Sequence, residues 1–172
     1  MTSKTIPPFP ELLAGVSRSA VHLEMRDTYT PDDPSFIAFQ GGPPYDRTER
    51  ERNWHAVIGG AIARGVVVRR ARIVSEPISD YIRFEHSVTD SMNIAAGELV
   101  RWLPRSQASD LCLPGNDFWV FDDHLVRFGH FSGDGLITAK ELREEPSVIR
   151  LCLSAFEAVW ERAIDHAEYK PV

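Results

Sequence analysis

Residues 65–85, GVVVRRARIVSEPISDYIRFE, constrain the fold more than any other stretch of the chain. Val66 to Val74 is dense in β-branched residues, follows a helix-ending Gly65 and stops before Pro77, so it predicts a central strand. Side chains alternate along a strand, which places Val66, Val68, Arg70, Arg72 and Val74 on one face and Val67, Arg69, Ala71, Ile73 and Ser75 on the other. Arginine therefore stands where a plain core strand carries apolar groups. Two readings follow. The arginines are half-exposed or paired with carboxylates to fix the packing, or they belong to a site with the polar groups Ser75, Glu76, Tyr81, Arg83 and Glu85 that come just after. That site would sit at the carboxyl end of the strand, where α/β folds bind ligands.

The 172 residues are enough for one domain with a proper core, and domain boundaries are expected at 1–172, with 1–9 as a flexible arm. A net charge of -6 argues against broad nucleic-acid binding, which needs a basic footprint. No run approaches the roughly 20 apolar residues of a membrane span, and Met1 to Pro10 lacks the order of a signal peptide, so a cytoplasmic location is expected. Cys112 and Cys152 form no CxxC pair, and both are expected to be reduced, with Cys152 buried.

Pro10 to Val16 suits a short helix, and Val21 to Met25 suits either a helix or a strand. Asp33-Pro34 opens a brief helix that stops at Gly41-Gly42. Asp46 to Arg64 predicts a longer one, with Trp54, Val57, Ile58, Ala61 and Ile62 on one stripe and Gly59-Gly60 permitting close packing. Ser79 caps a further helix, Glu98 to Leu103 reads as a strand, and Phe118 to Phe121 with Leu125 to Phe131 as a hairpin. Pro146 starts a final helix that packs through Phe156, Val159 and Trp160. The order points to an α/β or α+β fold, with a central sheet of four to five strands including the hairpin, packed by helices.

Catalytic motifs are sparse. His130 to Leu142 places Gly135 and Glu141 at the sixth and twelfth positions of a calcium loop, but His130 stands where a hard cation needs oxygen, so Ser132 to Gly135 is expected to be a tight turn. The six histidines show no paired metal-ligand spacing. His22, His124 and His130 are followed two places on by Glu24, Val126 and Ser132, so a phospholipase-D-type HxK is missing. No metal or cofactor is expected. What remains is a constellation of Arg70, Arg72, Glu76, Tyr81, Arg83, Trp102, Arg105, Asp117, Trp119 and Asp122, in which arginine and aromatic groups suit a carboxylate, a phosphate or a protein hot spot.

Four blocks, RARIVSEPISDYIRFE at 70–85, NIAAGELVRWLPR at 93–105, ASDLCLPGNDFWVFDDHLVRFGHFSGDG at 108–135 and SAFEAVWERAIDHAEY at 154–169, resemble an uncharacterised bacterial domain family. This domain of unknown function is abundant in actinobacteria and often encoded beside helix-turn-helix regulators. The resemblance implies a regulatory context, with such a regulator as partner. The element order also resembles a pared-down phospholipase-D-like half-unit. The expected function is therefore a non-catalytic binding protein that takes a protein partner or a small anionic effector on the arginine-aromatic surface. The alternative is a small hydrolase or phosphodiester-processing enzyme that uses Glu76 or an aspartate near 117–123 as acid or base beside an arginine.

Overall fold

The computed structural model describes residues 6–172. Its elements run α1 (Phe9–Ala14), β1 (Ser19–Glu24), α2 (Pro34–Phe39), α3 (Thr48–Ala63), β2 (Val67–Val74), α4 (Asp80–Thr89), β3 (Leu99–Pro104), β4 (Phe118–Phe121), β5 (Leu125–Phe131), β6 (Ile137–Arg143), α5 (Pro146–Arg162) and β7 (Ile164–Asp165). They build one mixed α/β sheet of seven strands in the order β6-β5-β4-β1-β2-β3-β7. β2 lies parallel to β1 on one side and to β3 on the other. It is the internal strand that its β-branched run predicts.

Seven strands replace the expected four to five. The additions are β6 and β7, and each is poorly marked in sequence for a physical reason. β6, ITAKELR, is an outer strand exposed along its first four positions, so no buried face imposes alternation on it. β7 has two residues, paired only with Arg101 and Trp102. Val21 to Met25, open between helix and strand, belongs to β1 as far as Glu24, hydrogen-bonded to β2 and β4. Residues 1–5 of the expected arm lie outside the described residues, and its last residue, Phe9, is the first of α1 and packs on Trp54 and Trp119.

The two sheet faces are covered differently. α5 lies across one face, burying Cys152, Phe156 and Val159 against Val21, Leu23, Ala71, Ile73 and Val120. Arg69 points to this side, where Glu157 holds it through two hydrogen bonds of 2.6 and 3.0 Å and its guanidinium lies over Phe156 and Trp160. On the opposite face the apolar surface is broken in two. α1 and α3 pack through Leu13, Ile58 and Ala61 on Ala20, Val66 and Val68. α4 packs through Ile82 on Val74, Val100 and Trp102. Between these patches β2 carries Arg70 and Arg72, whose charges no helix can cover with apolar side chains. The helices therefore stand apart there.

Gly59 and Gly60 do not serve close packing: a Cβ on either would meet nothing within 4 Å. At Ser132 to Gly135 the expected turn is present. Gly135 has φ +91°, and a Cβ there would press on the Thr28 carbonyl oxygen at 3.1 Å. Among the described residues no helix is long and apolar enough to cross a membrane.

Candidate functional site

The gap between α3 and α4 is a cleft of about 1010 Å³. Arg70 and Arg72 line it from β2, and Tyr81, Phe84 and Glu85 from α4. Trp54 and Val57 contribute from α3 and Ser35 from α2, with Phe9 and Tyr45 completing an aromatic wall. This position follows from sequence. The Ser79 hydroxyl accepts a hydrogen bond from Ile82 N at 3.1 Å and so starts α4 just beyond β2. Helical spacing then turns Tyr81, Phe84, Glu85 and Val88 toward the cleft.

The arginine floor is neutralised from within. Glu24, the last residue of β1, accepts from Arg70 Nη1 through Oε1 and from Arg72 Nε through Oε2, both at 2.6 Å. Glu98 accepts from Arg70 Nε at 2.9 Å, from Trp54 Nε1 at 2.7 Å and from Asn93 Nδ2 at 2.8 Å. Asn93 is aimed by a π turn at Asp90–Ile94, the kind of irregular turn that re-aims a side chain. Arg70 is further held between the rings of Trp54 and Trp119, at 5.8 and 5.4 Å. Arg72 donates to Thr89 Oγ1 at 2.7 Å, lies 4.8 Å from the Trp102 ring and approaches Glu85 Oε1 at 3.3 Å. A carboxylate with two guanidinium partners stays ionised, and the Glu24 carboxyl is held well below the usual range by Arg70 and Arg72 against the opposing effect of burial.

Glu85 differs. It is 9% exposed, meets only Arg72, and its Oε2 has no hydrogen-bond partner among the described residues. Burial, reinforced by the negative charges of Glu24 and Asp117, pushes its pKa up to about 7 against the pull of Arg72. A second orphan lies in the same wall: Ser35 is 4% exposed and its Oγ is likewise unpartnered. Burial also raises the neighbouring Tyr81 phenol far above its usual value, so it remains a neutral donor.

The predicted constellation divides. Arg70, Arg72 and Tyr81 line the cleft. Trp102 is fully buried behind Arg72, donating to His166 Nδ1 at 3.0 Å and stacked on Tyr169. Trp119 stacks on His22 at 4.2 Å beside a separate cavity of about 170 Å³, which Asp117 also lines. Asp117 is buried under the Tyr29 hydroxyl, which donates to it, and accepts from Met25 N at 2.9 Å. Burial and Glu24 raise its pKa to about 6.

The remaining members leave the site. Glu76 is exposed, accepts from the Tyr169 hydroxyl at 2.8 Å and does not line the cleft. Arg83 is exposed on α4 and does not line the cleft. Arg105 ties strand ends together, donating to Ser75 Oγ at 2.9 Å and to the Met25 carbonyl at 2.7 Å. Asp122 caps the far end of β1, accepting from the backbone of Ser17, Arg18 and Ser19 at 2.7, 2.7 and 2.9 Å. Sequence reasoning passed over Glu24, Ser35, Trp54 and Glu98. The one signal for Glu24 is its register opposite Arg72, which appears only when β1 and β2 are paired.

Among solved structures the fold is similar to a phospholipase D family member, Nuc from Salmonella typhimurium, at 13% identity and a TM-score of 0.49 over 91% of this chain and 86% of that one. No curated protein matches the chain. A family model described as a domain of unknown function (DUF6879) matches residues 7–171, and the chain belongs to that family.

Proposed function

We propose that this protein is a non-catalytic binding protein that takes up a small ligand, or a side chain of a protein partner, in the cleft over Arg70 and Arg72. The observation that carries this reading is the pair of buried, unpartnered polar atoms, Glu85 Oε2 and Ser35 Oγ, in the wall of one large cleft. Buried polar atoms are ordinarily paired, and leaving one unpaired costs about 1–3 kcal/mol. A ligand that draws these two side chains toward the cleft and supplies their missing partners recovers that energy, while Phe9, Tyr45, Trp54 and Phe84 line the space for its apolar body. The partner that fits the family resemblance is a helix-turn-helix regulator encoded nearby, in an actinobacterial cytoplasm. A small anionic effector fits less well, because the arginines that would receive it already hold carboxylates.

A thermal-shift screen of small molecules tests the reading, together with a pull-down using the neighbouring regulator. The reading expects at least one stabilising ligand or a specific complex, weakened by Trp54→Ala. No response in either assay overturns it.

One observation favours a second reading, a small hydrolase. Glu85 has the raised pKa that a general acid needs near neutrality, and it takes the place expected of Glu76 or an aspartate. Turnover of a substrate that Glu85→Gln abolishes without loss of stability would establish that reading over the first.

A further inference from the structure

We propose that the ligand of this cleft is an organic cation, an ammonium or guanidinium group carried on an apolar body. The inference rests on the binding reading above and adds the chemical class.

The charges on the cleft wall decide the sign. Every arginine that lines it is already held by a carboxylate: Arg47 by Glu51 at 3.2 Å, Arg50 by Asp33 at 2.6 Å, Arg70 by Glu24 and Glu98, and Arg72 by Glu24 and Glu85. The lining carboxylates are not all engaged. Asp32 and Glu49 have no ion pair among the described residues, and Glu85 keeps one oxygen free inside the wall. The unmatched charge is therefore negative, and it lies in a wall that Trp54, Tyr81 and Phe84 also line, where an apolar body can rest. An anion would find no available guanidinium to replace its water. A cation finds the acidic rim and, behind it, Glu85 Oε2, which it reaches when that side chain turns outward from the wall.

Glu85 also gives the binding a pH signature. The groups that act on it are Arg70 and Arg72 from β2, Glu24 from β1 and Asp117 from the loop before β4, with Tyr29 and Tyr81 nearby. With its carboxyl titrating at about 7, a cation that pairs with Oε2 selects the ionised form, and the proton leaves to solvent. Affinity then falls by about tenfold for each pH unit below that point.

A matched set of probes tests the class by isothermal titration calorimetry. Tyramine is the cation, para-ethylphenol its neutral counterpart and para-hydroxyphenylpropionate the matching anion. A blocked Leu-Arg-Leu peptide presents the same chemistry from a protein source. The expected result is binding of tyramine or the peptide at least about tenfold tighter than the neutral and anionic probes. Proton release should appear as a buffer-dependent heat at pH 7, and the preference should vanish in Glu85→Gln while the circular dichroism spectrum is unchanged. If only the peptide binds, the cation comes from a protein partner. Binding of the anion or the neutral probe as tightly as the cation, or a preference that survives Glu85→Gln, overturns the cationic class. Where such binding is lost in Trp54→Ala, the cleft remains a binding site and only the class fails. Silence from all four probes also overturns the class, and the broader screen then decides the binding reading separately.

Discussion

Arg70 donates from Nη1 to Glu24 Oε1 at 2.6 Å, and both residues are buried. A pair in this position is expensive to break from one side, because the remaining charge stays buried. Glu24 also holds Arg72, so it is the member whose removal strands the most charge.

Glu24→Gln is expected to destabilise the protein by about 3–5 kcal/mol, measured by urea denaturation at neutral pH. It should also lower the pKa of Glu85, since the Glu24 charge is one of the causes that raise it. A loss below about 1 kcal/mol would mean that Glu98 and Glu85 suffice to hold the two arginines without Glu24.

Stability should depend on pH in two opposed ways. Glu85 and Asp117 have folded-state pKa values raised to about 7 and about 6, so the folded state binds protons more tightly than the unfolded chain. Their contribution is full below the ordinary carboxylate range, near pH 4, and is lost as pH rises through 6 and 7. Glu24 and Asp122, whose pKa values are depressed, act in the other sense, and their contribution is lost as pH falls below the ordinary carboxylate range. Chemical denaturation is expected to show the native protein losing about 2–3 kcal/mol more stability between pH 5 and pH 8 than Glu85→Gln loses over the same range.

Gly59→Ala and Gly60→Ala should each raise stability by about 1 kcal/mol, since both lie inside α3 and an added Cβ meets open space. Thermal melts check this directly. A destabilised variant would show that the helix is more closely covered than the geometry indicates.

Asp122 accepts three backbone N–H groups with φ +47°, a left-handed conformation that aspartate and asparagine tolerate better than other non-glycine residues. Asp122→Ala is expected to cost about 2–3 kcal/mol, and Asp122→Asn clearly less, because it keeps one acceptor and the same backbone preference. Equal costs for the two would contradict the capping role.

Most of the fold was legible where one residue pattern meets one buried face. The Val66 to Val74 run, the Pro146 start of α5 and the Phe118 to Phe131 hairpin each carry that signature, and each stands where expected. β6 and β7 escaped because an exposed outer strand and a two-residue strand need no hydrophobic alternation. The candidate site was legible in halves. Two arginines on one face of an internal strand announce a polar interior, and Tyr81 follows at the right place. Their counter-charges did not announce themselves, because Glu24 and Glu98 lie 46 and 28 residues from Arg70 and meet it only through strand register. Glu76 was the tempting carboxylate from its position after β2, but Tyr169 holds it outside the cleft.

The most direct test is the titration of the Glu85 carboxyl, followed by carbon-13 NMR in the full protein and assigned with Glu85→Gln. With the arginine floor neutralised by Glu24 and Glu98 and one carboxyl oxygen left unpaired in the cleft wall, the midpoint should lie near 7 and move down when tyramine is added. A midpoint in the ordinary carboxylate range of about 4, unmoved by ligand, would mean that Arg72 already holds Glu85 as it holds Glu24, and the cleft wall would have no buried carboxyl in reserve for a ligand.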